Sequence, residues 1–241
     1  MKKASAPAGP PRTQVWRMFD RIAHRYDLLN RLLSFGTDVR WRKRLARALP
    51  DGADLRVLDL ATGTGDVLLT LARESCHVRS AVGADMSLGM LRLGKEKLAA
   101  ANLGRFWMVR GDATALGVAD AQFDAVTIAF GIRNVLDTRA ALREMVRVLL
   151  PGGRALILEF SLPKNHLVRR GYLLYFRHVL PRLGALISGD AHAYRYLNET
   201  VETFPHGEDF CRLMREAGFH NVTAHPLTFG IAAIYVGVVP Q

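Results

Sequence analysis

The middle of the chain alternates short β-rich apolar runs with stretches whose apolar residues recur at helical spacing. RVLDLA (56–61) predicts a strand, followed by a Gly-rich turn and a helix over Asp66–Glu74. SAVGAD (80–85) predicts a second strand, and Ser87–Ala101 a helix with Ser87 as its N-cap. RFWMVRGD (105–112) and FDAVTIAF (123–130) predict two more strands. An amphipathic helix over Thr138–Leu149 is expected to stop at Pro151-Gly152-Gly153, ahead of the strand RALILEF (154–160). Toward the C-terminus, a helix over Glu208–Ala217 precedes two closing strands, 222–229 and 230–238. Strands alternating with helices of this size build βαβ units. The expected fold is therefore α/β: a Rossmann-like, mostly parallel seven-stranded sheet with helices on both faces.

Composition narrows the class. With 241 residues, 49% hydrophobic and 23% charged, the chain is neither disordered nor fibrous. Cys76 and Cys211 stand alone, without CxxC or zinc-ligand spacing, and suit a reducing cytosol. MKKASAPAGPPR lacks the apolar core of a signal peptide, so 1–15 reads as a disordered tail before a single domain over 16–241. The longest apolar run, GIAAIYVGVV (230–239), is about half the length of a bilayer crossing. The net charge of +11 suggests nucleic acid or an anionic membrane, but its distribution matters more. Residues 1–50 carry +9 and 161–195 carry +5, whereas 51–160 are neutral and 196–241 carry −3.

The neutral middle holds the cofactor signal. In DLATGTGD (59–66), Gly63 and Gly65 let backbone approach a ligand at a strand-to-helix turn, where helix N–H groups are unpaired. The second strand ends in Asp85, whose carboxylate can accept both hydroxyls of a ribose. The third ends in Asp112-Ala113, a carboxylate and a backbone N–H able to read an adenine edge. Leu68 stands where a dinucleotide fingerprint needs glycine, and no ATP-type phosphate loop is present. A short turn preceded by an acidic residue suits a cationic, phosphate-free adenosine compound, and S-adenosylmethionine is one. A nicotinamide or flavin nucleotide, or a plain connecting turn, stays open at this point. The eight histidines form no HExxH or other ligand pair, so no metal is expected.

Several motifs occur together and in order: YDLLNRLLSFGTDVRW (26–41), IAFGIRNVLD (128–137), RVLLPGGRALILEFS (147–161), AYRYLNETVETFP (193–205) and TFGIAAIYVG (228–237). From about Phe19 to its end the chain resembles the ubiquinone/menaquinone biosynthesis C-methyltransferases, which are class I S-adenosylmethionine enzymes. The resemblance implies that Thr64, Asp85, Asp112 and Ala113 contact S-adenosylmethionine. It also implies an N-terminal helical cap over 16–50, with Tyr26 and Asp27, and a substrate-covering insertion over 161–205. The substrate it implies is a polyprenylated hydroquinone: demethylmenaquinol first, 2-methoxy-6-polyprenyl-1,4-benzoquinol as the alternative, or both. The chain departs from the family pattern at Leu29, Asp38, Ala129 and Leu150. Asp38 stands where the family usually has histidine, so no role passes to it by analogy. Ala129 removes one hydroxyl contact near the cofactor, worth about 1 kcal/mol.

C-methylation requires an electron-rich ring, which deprotonation of a neighbouring phenol supplies. Arg133, after the fourth strand, is expected to hold the phenolate, with Asn134 helping it to position a proton-accepting water. The bland alternative is a structural arginine paired with Asp137 or a helix end. Tyr26 hydrogen-bonds the hydroquinone or the cofactor's methionine end, or else only packs the cap. Tyr194 and Tyr196 line the opposite wall or pack there.

The basic flanks suggest where the substrate is met. HLVRRGYLLYFRHVLPRLGALI (166–187), as a helix broken near Pro181, has an apolar face and a cationic face carrying Arg169, Arg170, Arg177 and Arg182. With Arg40, Arg42, Lys43, Arg44 and Arg47 it suits peripheral contact with an anionic leaflet, placing a cytoplasmic protein on the inner face of the cell membrane. A solvated face, or a homodimer interface over the apolar side, are the alternatives. An RNA methyltransferase would also use basic flanks, but AFGIRN (129–134) has neither a catalytic Cys nor an Asn/Asp-Pro-Pro-aromatic turn, so no nucleic acid is expected. A catechol-type O-methyltransferase would need a metal cluster or an evident His base.

Overall fold

The computed structural model describes residues 15–179, 182, 198 and 200–241. Two helices, α1 (Val15–Leu33) and α2 (Thr37–Ala46), precede an alternation of β1 (Leu55–Leu60), α3 (Asp66–Glu74), β2 (Val78–Asp85), α4 (Leu88–Ala100) and β3 (Phe106–Arg110). The second half runs through β4 (Phe123–Ala129), α5 (Thr138–Val148), β5 (Leu149–Phe160), α6 (His166–Leu174), α7 (Glu208–Glu216), β6 (His220–Leu227) and β7 (Ala232–Val238). The seven strands lie in the order β3-β2-β1-β4-β5-β7-β6. All neighbouring pairs up to β5 are parallel, and β7 joins antiparallel to both β5 and β6. The expected α/β sheet is therefore observed.

Helices cover both faces because the central strands are apolar on both. One face packs Leu68, Leu71, Leu91 and Leu98 of α3 and α4, with Trp41 and Leu45 of α2, onto Val57, Ala81 and Leu156. The other packs Leu142 and Met145 of α5 and Phe210 and Met214 of α7 onto Leu58, Val126 and Ile157. Successive crossovers lead outward from β1 to one side and from β4 to the other. Their C-terminal ends therefore diverge at the position where open α/β sheets bind ligands.

Three details depart from expectation. Pro151-Gly152-Gly153 does not separate a helix from a strand; it lies inside β5 as a bulge, where the register jumps from Phe123↔Leu149 to Ala125↔Arg154. Gly152 takes φ 77° there, and a Cβ on Gly153 would stand 2.8 Å from the Leu150 carbonyl oxygen. The helix starting at His166 gives way at Tyr175 to a π-helical turn, Tyr175–Val179, before reaching Pro181, which lies outside the described residues. Val15, the last residue of the expected tail, already belongs to α1 and is buried; residues 1–14 lie outside the described set.

Candidate active site

The loops after β1, β2, β3 and β4 enclose a cavity of about 280 Å³ that α1 roofs with Trp16, Phe19 and Tyr26. Its floor includes Ala61, Gly63, Asp85, Gly111, Asp112, Ala113, Ala129, Phe130, Gly131 and Asn134. The turn after β1 is tight: Gly63 and Gly65 take φ 57° and 79°, the left-handed region that glycine enters without strain. Beneath it, a Cβ on Gly83 would come within 2.7 Å of Thr62 Oγ1, so glycine is needed there for the turn to sit close to β2.

Asp85 ties two loops together. Its Oδ2 accepts from the Gly63 N–H at 2.8 Å and its Oδ1 from the Ser87 N–H at 2.8 Å. Burial pushes its carboxyl pKa up, against the pull of those two N–H groups. Asp112 accepts from the Thr114 N–H (2.9 Å) and Oγ1 (2.8 Å), both at Oδ1, so its Oδ2 is available to the cavity. Behind the turn, Asp59 is fully buried and accepts from Thr62 Oγ1 and Thr127 Oγ1, each at 2.6 Å. Burial pushes its pKa up to about 7.

Thr64 and Gly65 are not among the residues that line the cavity. The Thr64 hydroxyl donates to Asp27 Oδ1 at 2.6 Å and accepts from Lys97 Nζ at 2.9 Å. Lys97 also reaches Asp27 Oδ2 (2.5 Å) and Asp66 Oδ1 (2.8 Å). This network fastens α1 to the Gly-rich turn. A second clasp lies about two turns back along α1, where Asp20 accepts from Ser87 Oγ and from the Gly89 N–H (2.9 Å) at the start of α4. Asp38 has a local role: nearly buried, it accepts from Arg42 (2.7 Å) and Ser34 (2.7 Å).

Arg133 sits on a 3₁₀ turn, Ile132–Asn134, and is only 6% exposed. Its Nη1 donates to Glu159 Oε1 at 2.6 Å and to the Phe130 carbonyl at 2.8 Å, and its Cζ lies 5.2 Å from the Phe160 ring centroid. The partner is thus Glu159, not Asp137, which instead caps α5 by accepting from the Ala140 N–H. Glu159 also accepts from the Phe160 N–H at 2.8 Å. Arg133 Nε and Asn134 Oδ1 are buried and have no hydrogen-bond partner. Asn134 lines the cavity, and Arg133, the residue before it, pairs with Glu159 of β5.

Glu159 was missed by the sequence reading although a signal existed. A single carboxylate in the run ALILEF, on a strand buried on both faces, needs a cation. Tyr26 lies on the cavity roof, edge-on to Phe19 at 5.8 Å, and burial raises its phenol pKa. Tyr194 and Tyr196 lie outside the described residues. Among the described residues no group of three His, Cys, Asp or Glu could hold a metal.

An open sheet with its ligand cavity at the β1/β4 divergence and an acidic residue ending β2 is the arrangement of class I S-adenosylmethionine-dependent methyltransferases. Solved structures share it. The Haloferax volcanii methyltransferase solved with its Trm112 activator superposes at TM-score 0.66, with 20% identity, covering 92% of this chain and 98% of that one. A SAM-dependent methyltransferase from Thermotoga maritima also gives 0.66, at 19% identity over 92% and 98% of the two chains.

The sequence profile of the ubiE/COQ5 methyltransferase family matches residues 9–239, and the chain belongs to that family. It is 50% identical to the Geobacter sulfurreducens ubiquinone/menaquinone biosynthesis C-methyltransferase UbiE, over 91% of this chain and 86% of the relative. It is 52% identical to the demethylmenaquinone methyltransferase of Thermus thermophilus, over 91% and 99%. The chain is an S-adenosylmethionine-dependent C-methyltransferase.

Proposed function

We propose that the chain methylates a ring carbon of a polyprenylated hydroquinone, demethylmenaquinol first, with the benzoquinol of ubiquinone synthesis as the second reading. The observation that carries this is the buried Arg133–Glu159 pair, whose Nε is unpartnered beside the cavity wall at Asn134. The names of the relatives support both quinols, and the Thermus name favours the naphthoquinol.

The floor suits the cofactor. Asp85 takes the ribose hydroxyls, Asp112 Oδ2 and the Ala113 N–H the adenine edge, and the Gly63 backbone the close approach, a reading supported by their shared place on the cavity lining. S-adenosylmethionine supplies an electrophilic methyl group when bound there. Arg133 favours the ionised form of the neighbouring quinol hydroxyl, because a guanidinium in a water-poor site attracts a phenolate strongly. It does not take the proton itself, since it stays protonated. Asn134 Oδ1 is a free acceptor that can hold a water to carry the proton out. The phenolate that Arg133 holds would make a ring carbon nucleophilic toward that methyl group, and the carbon's own proton would leave through the water on Asn134. Glu159 is a positioning residue, keeping the guanidinium in place.

A lipid quinol must be met at a membrane. Phe35 and Phe229 are 80% and 82% exposed at left-handed turns (φ 51° and 58°), and Leu167 on α6 is 82% exposed. Phe35 packs against Tyr175 at 5.8 Å, and Trp41 Nε1 donates to Thr228 beside Phe229. These apolar tips lie on or beside α2 and α6, whose Arg40, Arg44, Arg169 and Arg170 are exposed, a combination suited to the surface of an anionic inner leaflet. Arg42 is instead buried against Asp38 and Asp66, and Lys43, Arg47 and Arg177 pair with Glu74 and Glu202. No helix among the described residues is long and apolar enough to cross it.

The test is methyl transfer from labelled S-adenosylmethionine to both quinols, with RNA as a third acceptor. Label on the naphthoquinol ring carbon is expected, with loss of at least about 100-fold in kcat for Arg133→Ala at unchanged cofactor affinity. Labelling of RNA alone would overturn the proposal.

A further inference from the structure

Among the described residues four buried side-chain atoms lack a hydrogen-bond partner: Arg133 Nε, Asn134 Oδ1, Tyr172 Oη and Asn198 Oδ1. Native interiors leave few such groups, and each carries a desolvation cost. These four are not scattered. Tyr172 on α6 stacks at 4.7 Å on Phe176, Phe176 lies 6.1 Å from Phe160, and Phe160 faces the Arg133 guanidinium. Asn198 donates through Nδ2 to the Phe176 carbonyl at 2.6 Å. Tyr172 shares its apolar cluster with Val15 and Phe19, which also belong to the cavity wall.

We propose that Tyr172 is a catalytic residue that touches the substrate: its hydroxyl binds the ring oxygen of the hydroquinone that Arg133 does not face. This deepens the quinol reading above and rests on it. The chemistry of the four atoms fits that ligand. Arg133 Nε is a donor and the Tyr172 hydroxyl both donates and accepts, whereas the two amide oxygens only accept. The carbonyls of Phe130 and Phe176 take the Nδ2 ends of Asn134 and Asn198, and so fix each amide with its oxygen free. A hydroquinone monoanion offers an acceptor at one oxygen and a donor–acceptor at the other, and so can pair Arg133 Nε, the Tyr172 hydroxyl and one of the two amide oxygens. A quinone, with acceptors only, leaves both amide oxygens unpaired. The site is therefore matched to the reduced ring, the form electron-rich enough to attack a methyl group. Burial and the nearby Glu159 keep the Tyr172 phenol protonated, against the opposing pull of Arg133.

The deciding variant is Tyr172→Phe in the full chain, which keeps the ring and its stacking on Phe176 and removes only the hydroxyl. The expected result is a fall of at least about tenfold in kcat/KM for the quinol, with the Kd for S-adenosylmethionine unchanged and Tm equal to or above wild type. A residue with a packing role alone would leave the kinetics unmoved. Asn198→Leu is the companion variant, expected to weaken discrimination between the quinol and its monomethyl ether. If wild type methylates the quinol and Tyr172→Phe does so within about twofold, the role assigned to Tyr172 is wrong and the quinol reading stands. If wild type methylates no quinol, it is the quinol reading that fails.

Discussion

The floor and the roof of the cavity are built on different physical principles. The floor hangs from the ends of β1 and β4, whose Val57, Leu60, Ala125 and Ile128 are wholly buried, so its loops inherit the rigidity of a close-packed sheet. The roof, α1, buries a narrower stripe (Val15, Met18, Ile22, Ala23) and is fastened by Asp20 and Asp27 to Ser87, Gly89, Thr64 and Lys97. A floor of this kind presents preformed donors and acceptors to whatever occupies the cavity. A roof clasped by partly exposed charges opens at small cost, since such pairs are worth about 1 kcal/mol or less. Ligand entry is therefore expected through the roof.

The sharpest way to break the floor is to remove the counter-charge beneath it. Glu159→Ala leaves Arg133 buried without its carboxylate, and about 3–5 kcal/mol of stability should be lost, read by chemical denaturation. Glu159→Gln, which keeps a hydrogen-bonding oxygen, should lose less. An equal, small loss in both variants would mean that water already screens the pair.

Asp59 comes next. Because its folded-state pKa is raised to about 7, the folded protein holds this proton more tightly than the unfolded chain. Its contribution is complete below the ordinary carboxylate range near pH 4 and is lost as pH rises toward 7, on the order of 3 kcal/mol. Asp59→Asn should flatten the fall in stability between pH 4 and 7. A slope unchanged from wild type would assign it elsewhere, first of all to Asp85, whose carboxyl is pushed in the same direction.

The floor was also the more legible half. Periodicity placed all seven strands, and small residues between β1 and α3, with acidic residues at the end of β2 and just after β3, marked loops that line the cavity because those signals are local in sequence. The roof's attachments join residues far apart: Asp27 to Thr64, Asp20 to Ser87. Spacing carries no trace of such pairs, so the engagement of the Thr64 hydroxyl by Asp27 and Lys97 was not foreseen. Glu159 carried a local signal, a lone carboxylate in a buried strand, but its partner Arg133 comes from a different strand's loop and left none. The bulge at Pro151-Gly152-Gly153 misled because residues that usually end an element here let β5 bend while the pairing continues on both sides.

Asp85→Asn sharpens the floor's role further. Both of its oxygens organise backbone N–H groups, and an amide offers only one acceptor oxygen. The Kd for S-adenosylmethionine should rise about 10- to 100-fold by calorimetry, with stability little changed. Unchanged affinity would remove Asp85 from the cofactor site.

The smallest effect is expected at the roof. Lys97 links Asp27 of α1 to Asp66 of α3 and also donates to Thr64, with its side chain 29% exposed. Lys97→Ala should therefore cost only about 0.5–1 kcal/mol overall, but all of it in the docking of α1. Hydrogen exchange reads this directly: α1 amides should lose roughly 2- to 5-fold in protection, while those of β1 and β4 keep theirs. High salt should shift wild type in the same direction, because it screens the clasp and leaves the sheet untouched. Protection of α1 that is indifferent to both the substitution and the salt would mean that the apolar stripe alone holds the roof. The contrast between a packed floor and a clasped roof would then fail.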